Sequence, residues 1–473
     1  MRILLISVNR ERIPDAVAPI GCAYVLQTLI HSGHEVSFFD LLPFSSSRQA
    51  LLELGDHVLS EPWDLVAISV RNLDASVEPQ RRNTLPWISQ VVKHVRKNSV
   101  APILMGGSGF SLLPERLLEI LDIDFGITGP CEQSLPKFLQ NINSPEQWKN
   151  IPGLVYRSRG QQKIICNPSK PWGIPAQGPI DGWKMMNRQY YYDEGGAINV
   201  QTRRGCQFRC TFCTYPKLEG NLVLQRDPHG IVDELVWWKD HHGVKHFFFV
   251  DSVFNAPWDH TELILNEIIN RKLKISWTAY VNPLGLTASM IELMLNSGCI
   301  GIEMGIDSGS DLVLRKLKKG FLPKQVRQSL NSCCRMGLKS CVNLIFGSPG
   351  ENLETVRETI DLLNEFPHFP VISMVGVRIY PGTPIYQMAK SEGVINKKTD
   401  LLNPTFYFSP HFDEGCMQVL LHQAKIRKNW VIPDEQVNTN IELFQKLRRR
   451  KMKGPLWRVL RAEPLDGSLM LSP

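Results

Sequence analysis

Short apolar runs alternate with amphipathic stretches along the first 140 residues of the chain. The apolar runs read RILLISV, EVSFFD, LVAISV, APILMGG and FGITG, and helical patterns such as the one from Pro19 to Ser32 separate them. This alternation is typical of a parallel sheet that is covered by helices on both faces. We therefore predict a doubly wound, Rossmann-like α/β domain over residues 1–140, with ligands bound at the carboxyl ends of its strands.

The pattern changes twice in the rest of the chain. Residues 141–190 are rich in Pro, Gly, Asn and Ser and predict a connector with a short hairpin over GLVYRSRGQQKIIC. A second alternation follows, with predicted strands AINVQTR, KHFFFVD, KISWTAYVN, CIGIEMGID, KSCVNLIFG and VISMVGVRIY. Six strand–helix units predict a partial barrel over residues 191–395, because a closed eight-unit barrel usually needs a longer chain. The region 396–473 is irregular and contains the basic run KLRRRKMKGPLWRVLR.

Composition narrows the class of protein. The chain of 473 residues is too long for one ordinary domain, and 43% hydrophobic with 21% charged residues is typical of a globular protein. No apolar run is long enough to predict a membrane span. A net charge of +7 is compatible with anionic ligands and does not indicate DNA binding. Eleven cysteines spread along the chain indicate reduced thiols and a cytoplasmic location.

Three of the cysteines lie in one short loop, RRGCQFRCTFCTYP. Cys206, Cys210 and Cys213 follow the first predicted barrel strand, at the rim where barrel active sites form. A structural zinc site normally needs four protein ligands, and the nearest downstream histidine, His229, lies sixteen residues past Cys213. Three thiolates can hold three irons of a 4Fe–4S cluster and leave the fourth iron without a protein ligand, and an open coordination position is what a catalytic site requires.

The C-x3-C-x2-C spacing, with Phe212 before the last cysteine, resembles the signature of the radical S-adenosylmethionine (SAM) enzymes. The segments RDPHGIVDEL, FFFVDSVFN, GIEMGIDSGS, IFGSPGE and RIYPGTPIY resemble those of the subgroup that carries an N-terminal cobalamin-binding domain. This resemblance covers roughly residues 1–410. It implies a 4Fe–4S cluster on Cys206, Cys210 and Cys213, SAM on the open iron near Phe212, and bound cobalamin.

The resemblance also implies an activity and partners. One electron from a donor such as flavodoxin or ferredoxin would cleave SAM to a 5′-deoxyadenosyl radical. The leading reaction is methyl transfer from cobalamin to an unactivated carbon, and the subgroup also catalyses cyclisation and rearrangement. The substrate would be a small molecule or a lipid, in lipid or natural-product biosynthesis.

Several polar residues at the ends of predicted barrel strands are candidate ligand contacts. The resemblance implies that Glu303 and Ser308 hold the amino or ribose groups of SAM, and that Arg378 contacts a ligand carboxylate or ribose. Asp251 either contacts substrate or ligand at the same rim or caps the next helix. Asn343 either faces the barrel interior or is a hydrogen-bonded amide of the core.

The N-terminal domain offers small and polar residues at the ends of three consecutive predicted strands. Glycines at such turns let the backbone approach a large ligand such as cobalamin, although ordinary turn geometry also needs them. The residues are Ser69 and Asn72 after the third strand, Gly106 and Gly107 after the fourth, and Gly129 and Glu132 after the fifth. Many cobalamin domains carry a cobalt-ligating histidine after the first strand, whereas this chain reads SVNRERIPDAVAPIG there.

Two other functions remain open. One is methylthiolation of tRNA, because tRNA methylthiotransferases are also radical SAM enzymes. They hold a second cluster with three N-terminal cysteines, for which Cys22, Cys131 and Cys166 are the available thiols here. A corrinoid or cluster carrier without catalytic activity is the other alternative. The basic run near the C-terminus, with Leu456 and Trp457, predicts either peripheral contact with an anionic membrane surface or a solvated tail.

Overall fold

Two parallel sheets, one from each half of the chain, form the framework of the protein. The computed structural model describes residues 1–12, 15–74, 83–158, 163–170, 173–432 and 437–460. The last residues of the predicted C-terminal region, 461–473, therefore lie outside the described part, as does the turn at 159–162 of the predicted hairpin. Among the described helices none is long and apolar enough to cross a membrane.

The first sheet contains seven strands, which are Arg2–Ser7 (β1), Glu35–Asp40 (β2), Leu65–Ser69 (β3), Ile103–Gly106 (β4), Phe125–Ile127 (β5), Leu154–Arg157 (β6) and Ile164–Cys166 (β7). Their order is β2-β1-β3-β4-β5-β6-β7. The first five strands pair in parallel, and β6 and β7 add an antiparallel hairpin at the edge. The predicted connector therefore contributes two strands to the N-terminal sheet.

Helices cover both faces of this sheet because successive side chains of β1 point to opposite sides. Ile3 and Leu5 pack in one apolar cluster, whereas Leu4 and Ile6 pack in a second cluster on the other face. The helices of this half are Ile20–His31 (α1), Ser47–Leu59 (α2), Leu85–Asn98 (α3), Ser108–Leu112 (α4), Pro114–Ile120 (α5), Ser134–Gln140 (α6), Pro145–Trp148 (α7), Ile180–Lys184 (α8) and Arg188–Gly195 (α9). The cluster on the α1 face continues into the core of the second half, so the two halves share apolar packing.

The second sheet contains Ile198–Val200 (β8), His246–Phe249 (β11), Ser276–Val281 (β12), Cys299–Asp307 (β13), Ser340–Phe346 (β14), Val371–Val375 (β15) and Trp430–Val431 (β18). Its order is β18-β15-β14-β13-β12-β11-β8, and every pairing is parallel. Two short antiparallel pairs accompany it, Arg203–Arg204 (β9) with Leu224–Gln225 (β10), and Val377–Arg378 (β16) with Phe406–Tyr407 (β17).

The helices of the second half lie between these strands and after them. They are Tyr215–Leu218 (α10), Pro228–His242 (α11), Trp258–Asn270 (α12), Ala288–Asn296 (α13), Asp311–Leu317 (α14), Pro323–Met336 (α15), Leu353–Asn364 (α16), Pro384–Ser391 (α17), Glu414–Ile426 (α18) and Val437–Arg449 (α19), followed by a 3-10 turn at Leu456–Val459. Each of the first six strands of this sheet in chain order is followed by a helix, as the apolar pattern predicts.

The predicted strand VISMVGVRIY is wrong as a single element. It is divided at Gly376, whose φ of +86° is a conformation that favours glycine. A Cβ at this position would lie 2.7 Å from the Phe408 ring. The chain leaves the second sheet at this glycine. Arg378 therefore belongs to the separate strand β16 and forms an ion pair with Asp74 of the N-terminal half.

The basic C-terminal run packs against the second sheet. Leu456 and Trp457 are only 3% and 5% exposed, and Trp457 packs beside Gly301, where an added Cβ would lie 2.5 Å from the indole ring. Arg448 forms an ion pair with Asp15 at 2.7 Å. Leu456 and Trp457 therefore lie inside the protein and not at its surface, whereas peripheral membrane contact through the basic residues of the run stays a prediction.

Replacing Trp457 with alanine tests this packing. The change would leave a cavity beside Gly301 and should lower the free energy of unfolding by about 3–5 kcal/mol. Urea-induced unfolding followed by circular dichroism measures the loss. Leu263→Ala is the matched control, since Leu263 is 58% exposed and its truncation should cost no more than about 0.5 kcal/mol. Equal stability of the two variants would contradict a packed C-terminal segment.

Candidate active site

A cavity of about 820 Å³ lies where the carboxyl ends of the first sheet face the second half of the chain. One wall comes from the strand ends of the first sheet, and the facing wall comes from the three-cysteine loop and from the second sheet through Asn199, Ile345 and Met374. Nine of the residues predicted from the sequence line it: Ser69, Asn72, Gly106, Gly107, Gly129, Glu132, Phe212, Cys213 and Arg378. The structure thus brings residues more than 300 positions apart in the chain to one space.

The two glycines at the end of β4, Gly106 and Gly107, have different roles. Gly107 has a φ of +99°, and a Cβ there would lie 2.4 Å from the Val70 carbonyl oxygen. Only glycine allows the turn after β4 to lie this close to the end of β3. At Gly106 an added Cβ would meet only the Ile127 carbonyl oxygen, at an ordinary 3.5 Å. Turn geometry therefore explains Gly107, whereas Gly106 leaves space along the cavity wall.

The three-cysteine loop runs from β9 to α10 and is fixed by hydrogen bonds at both ends. The amide of Gly205 donates to Glu219 at 3.0 Å, and the amide of Cys206 donates to the Gly220 carbonyl at 3.1 Å. The amide of Thr211 donates to the carbonyl of Leu317 at 3.0 Å. The path of the loop is therefore determined before any ligand is bound.

The thiols of this loop fit the donor set of an iron–sulfur cluster. All eleven cysteines are free, and Cys206 is buried whereas Cys210 and Cys213 are partly exposed. Burial raises the pKa of the Cys213 thiol to about 12 and also raises the pKa of Cys210. In the described residues no three His, Cys, Asp or Glu side chains are grouped closely enough to hold a single metal ion. Three free thiols in one anchored loop are the chemistry that a cluster of several irons requires.

Asp251 holds the start of this loop. It is buried, and its carboxylate accepts hydrogen bonds from the Thr202 amide at 2.7 Å, the Thr202 hydroxyl at 2.5 Å and the Arg203 amide at 3.1 Å. Burial raises its pKa, and the neighbouring Arg203 guanidinium opposes that shift. Asp251 thus anchors the strand that leads to the cysteines; it does not cap the next helix, whose N-cap residue is Pro257, and a ligand contact stays a prediction.

Glu303 and Asn343 lie on neighbouring strands away from the main cavity. The Glu303 carboxylate accepts a hydrogen bond from the Trp457 indole at 3.0 Å and one from the Asn343 amide at 3.4 Å. Burial raises the pKa of Glu303, and both hydrogen bonds lower it. Ser308 is fully buried, and its hydroxyl bonds with Thr359 at 3.2 Å. The structure therefore gives Glu303, Asn343 and Ser308 protein partners, and the SAM contacts of Glu303 and Ser308 stay predictions.

Two ion pairs cross from the first half of the chain to the second at the cavity. Arg378 pairs with Asp74 at 2.6 Å, and the hydroxyl of Tyr380 donates to the same carboxylate oxygen at 2.8 Å. Arg204, next to the cysteine loop, pairs with Glu132 at 2.5 Å. No local pattern in the sequence indicates these pairs, because their partners lie 304 and 72 residues apart.

The cysteines proposed for a second cluster do not form one group. Cys22 and Cys131 line the cavity, whereas Cys166 lies in β7 and packs in the apolar cluster on the other face of the sheet. Burial raises the pKa of Cys166 to about 12, and Glu115 adds to this shift. The structure therefore places only two of the three thiols in position for the methylthiotransferase alternative.

Comparison with known proteins identifies the segment that contains the cysteine loop. Residues 200–363 match the Radical SAM superfamily. This segment is a radical SAM domain. The match begins at the end of β8 and continues through β14 into α16, so the domain includes the three cysteines, Asp251, Glu303 and Lys319.

Relatives in sequence and in structure cover most of this chain. It is 26% identical over 438 residues to tryptophan 2-C-methyltransferase of Streptomyces laurentii, covering 79% of this chain and 72% of that protein. It is 24% identical over 446 residues to an uncharacterized methyltransferase of Pyrococcus horikoshii, covering 90% and 92%. The structure of TsrM, a radical SAM methyltransferase from Kitasatospora setae solved with cobalamin and a 4Fe–4S cluster, superposes with a TM-score of 0.82 at 22% identity. The overlap covers 97% of this chain and 96% of TsrM, which shows a shared fold.

Substituting Gly205 tests whether the loop path depends on glycine. Gly205 has a φ of +88°, and a Cβ there would lie 2.0 Å from the Leu222 carbonyl oxygen. We expect Gly205→Ala to weaken cluster retention roughly tenfold. The clash would displace the backbone segment of Gly220 and Leu222, which positions Cys206 through a hydrogen bond. The rate at which a chelator removes iron from the reconstituted protein measures retention.

Gly243→Ala is the control for this substitution. Gly243 also has a positive φ, of +62°, but no atom lies within 4 Å of an added Cβ. Both variants carry the backbone strain, and only Gly205→Ala carries the steric clash. Equal iron loss from the two variants would show that the clash does not determine the loop path.

Proposed function

We propose that this protein is a cobalamin-dependent radical SAM methyltransferase that acts on a small-molecule substrate. The observation that carries the proposal is the shared cavity, in which the strand ends of the first sheet face Phe212 and Cys213 of the radical SAM domain. A cavity of about 820 Å³ at the carboxyl edge of a doubly wound sheet is suited to a large planar cofactor. In this proposal the first sheet is the cobalamin-binding domain and the second is a partial barrel.

Each part of the cavity has a separate task in this proposal. Cys206, Cys210 and Cys213 would hold the cluster, and Gly106 and its neighbours at the strand ends would hold cobalamin. With both groups bound, the cluster supplies one electron to SAM and cobalamin carries the methyl group. The buried ion pairs at the domain boundary keep the two walls together and exclude water, which protects reactive species from side reactions.

A histidine ligand to cobalt is not part of this proposal. The residues of the described chain that line the cavity include Val17, Pro19 and Gly21 after β1 but no histidine. His31 and His34 lie at the far end of α1 and after it. None of the described residues that line the cavity would therefore supply an imidazole to cobalt.

The relatives support the same reaction class. Tryptophan 2-C-methyltransferase and TsrM are methyltransferases, and the TsrM structure contains both cofactors. We extend these properties to this chain because the alignments cover most of each protein. A one-electron donor such as flavodoxin or ferredoxin and a cytoplasmic location complete the proposal, the latter because the eleven cysteines are free.

Two variants that affect different cofactors test the proposal. After anaerobic reconstitution with iron, sulfide and hydroxocobalamin, we expect about four irons per chain and a corrinoid spectrum from the unmodified protein. Cys210→Ala should lose the cluster and keep the corrinoid. Gly106→Leu should keep the irons and lose the corrinoid, because its side chain would enter the cavity. Iron analysis and absorption spectra measure the two cofactors independently.

The products and the cofactor content after a reductant and SAM are added distinguish a methyltransferase from a methylthiotransferase and from a non-catalytic carrier. S-adenosylhomocysteine formed from SAM in the presence of corrinoid supports methyl transfer. A methylthiotransferase would hold a second cluster and no corrinoid, and a carrier would bind the cofactors but leave SAM intact. A colourless protein, or tetrahedral zinc on the three cysteines, would overturn the proposal.

A further inference from the structure

A buried ion pair lies next to the three-cysteine loop and has no part in the site described so far. The ammonium of Lys319 lies 2.5 Å from a carboxylate oxygen of Asp307, and the two side chains are 10% and 6% exposed. A buried ion pair is often no more stabilising than apolar residues of the same volume. Its position beside the loop therefore suggests a role other than stability.

The backbone takes unusual conformations to bring the two charges together. The pairing of β13 with β14 shifts register between Gly305 and Asp307, and Asp307 has a φ of +65°. Such irregularities redirect a side chain at the end of a strand. Lys318, directly before Lys319, also has a positive φ, of +55°. One member of the ion pair and the residue directly before the other member therefore adopt a conformation that costs free energy for a non-glycine residue.

Lys319 and the residues just before it contact the three-cysteine loop directly. The Lys319 nitrogen lies 5.7 Å from the ring centroid of Phe212 and 5.6 Å from that of Phe321. Phe212 directly precedes Cys213, and the Thr211 amide donates to the carbonyl of Leu317, two residues before Lys319. The helix end that carries Lys319 and the cysteine loop therefore form one packed unit.

The contact between this ion pair and the cysteine loop comes from the ammonium, which lies over Phe212 directly beside Cys213. The Asp307 carboxylate contacts that ammonium at 2.5 Å. We therefore expect the positive charge of the pair to act on the loop more strongly than the negative charge.

We propose that Lys319, held by Asp307, raises the reduction potential of the iron–sulfur cluster bound by the three-cysteine loop. This inference rests on the proposed function, because it requires a cluster at the loop. Reduction adds one negative charge to the cluster, and a buried ammonium nearby stabilises that charge in a low-dielectric surrounding. Asp307 orients the ammonium and partly offsets its charge. Lys319 thereby makes it easier for the electron donor to reduce the cluster.

Redox titration of the reconstituted protein, followed by electron paramagnetic resonance in the absence of SAM, tests the proposal. Lys319→Met keeps the length of the side chain and removes its charge. We expect the ratio of reduced to oxidised cluster at a fixed potential to fall about tenfold, which corresponds to a shift of about 59 mV to lower potential for one electron. Lys319→Arg keeps the charge and should stay close to the unmodified protein.

The reduction potential of Asp307→Asn distinguishes an effect of charge from structural damage to the loop. It keeps the ammonium and removes the opposing carboxylate, so the potential should rise, whereas Lys319→Met lowers it. A general loosening of the loop would move both variants in the same direction. Unchanged potentials, or shifts of the same sign, in variants that hold four irons would overturn the role of Lys319.

A double variant covers the case in which a single unpaired charge prevents folding. Lys319→Met with Asp307→Asn leaves neither charge of this pair, and its potential should still fall below that of the unmodified protein, because the Lys319 ammonium is the group that contacts Phe212 of the loop. An unchanged or higher potential would overturn the inference. If the unmodified protein itself holds no cluster, the proposed function fails; if it holds one that these variants do not shift, only the inference about Lys319 fails.

Discussion

The structure depends on buried charge pairs that hold the carboxyl edges of two sheets against each other. Arg378 with Asp74 and Arg204 with Glu132 cross the boundary at the cavity. Removing one partner of a buried pair is costly, because an unpaired charge remains in a low-dielectric surrounding. These pairs therefore resist separation of the two halves, and the apolar cluster shared between them adds to that resistance.

The same principle organises the loop that carries the cysteines. Asp251 binds the strand before the loop, Glu219 binds Gly205 at its start, and Lys319 packs over Phe212 near its end. Each of these charged groups is satisfied by the protein itself. The thiols are consequently presented on a backbone that is already ordered, which lowers the entropic cost of binding a cluster.

Several residues that are conspicuous in the sequence have partners within the protein. Ser308 bonds with Thr359, Asp251 anchors the strand before the cysteine loop, and Trp457 packs beside Gly301. Polar groups at strand ends are ambiguous in a sequence because a ligand contact and a hydrogen bond to the protein require the same side chains. Only the positions of the neighbouring elements distinguish the two.

The sequence by itself determined the alternation of strands and helices and the position of the three-cysteine loop. Both follow from periodicity and spacing within a few residues, which local interactions control. The tertiary structure decided which distant residues meet: that β6 and β7 extend the first sheet, that Arg378 leaves the second sheet at Gly376, and that Lys319 lies beside Phe212. These facts depend on packing and on charge pairing between segments that lie tens to hundreds of residues apart, for which a single sequence carries no periodic signal.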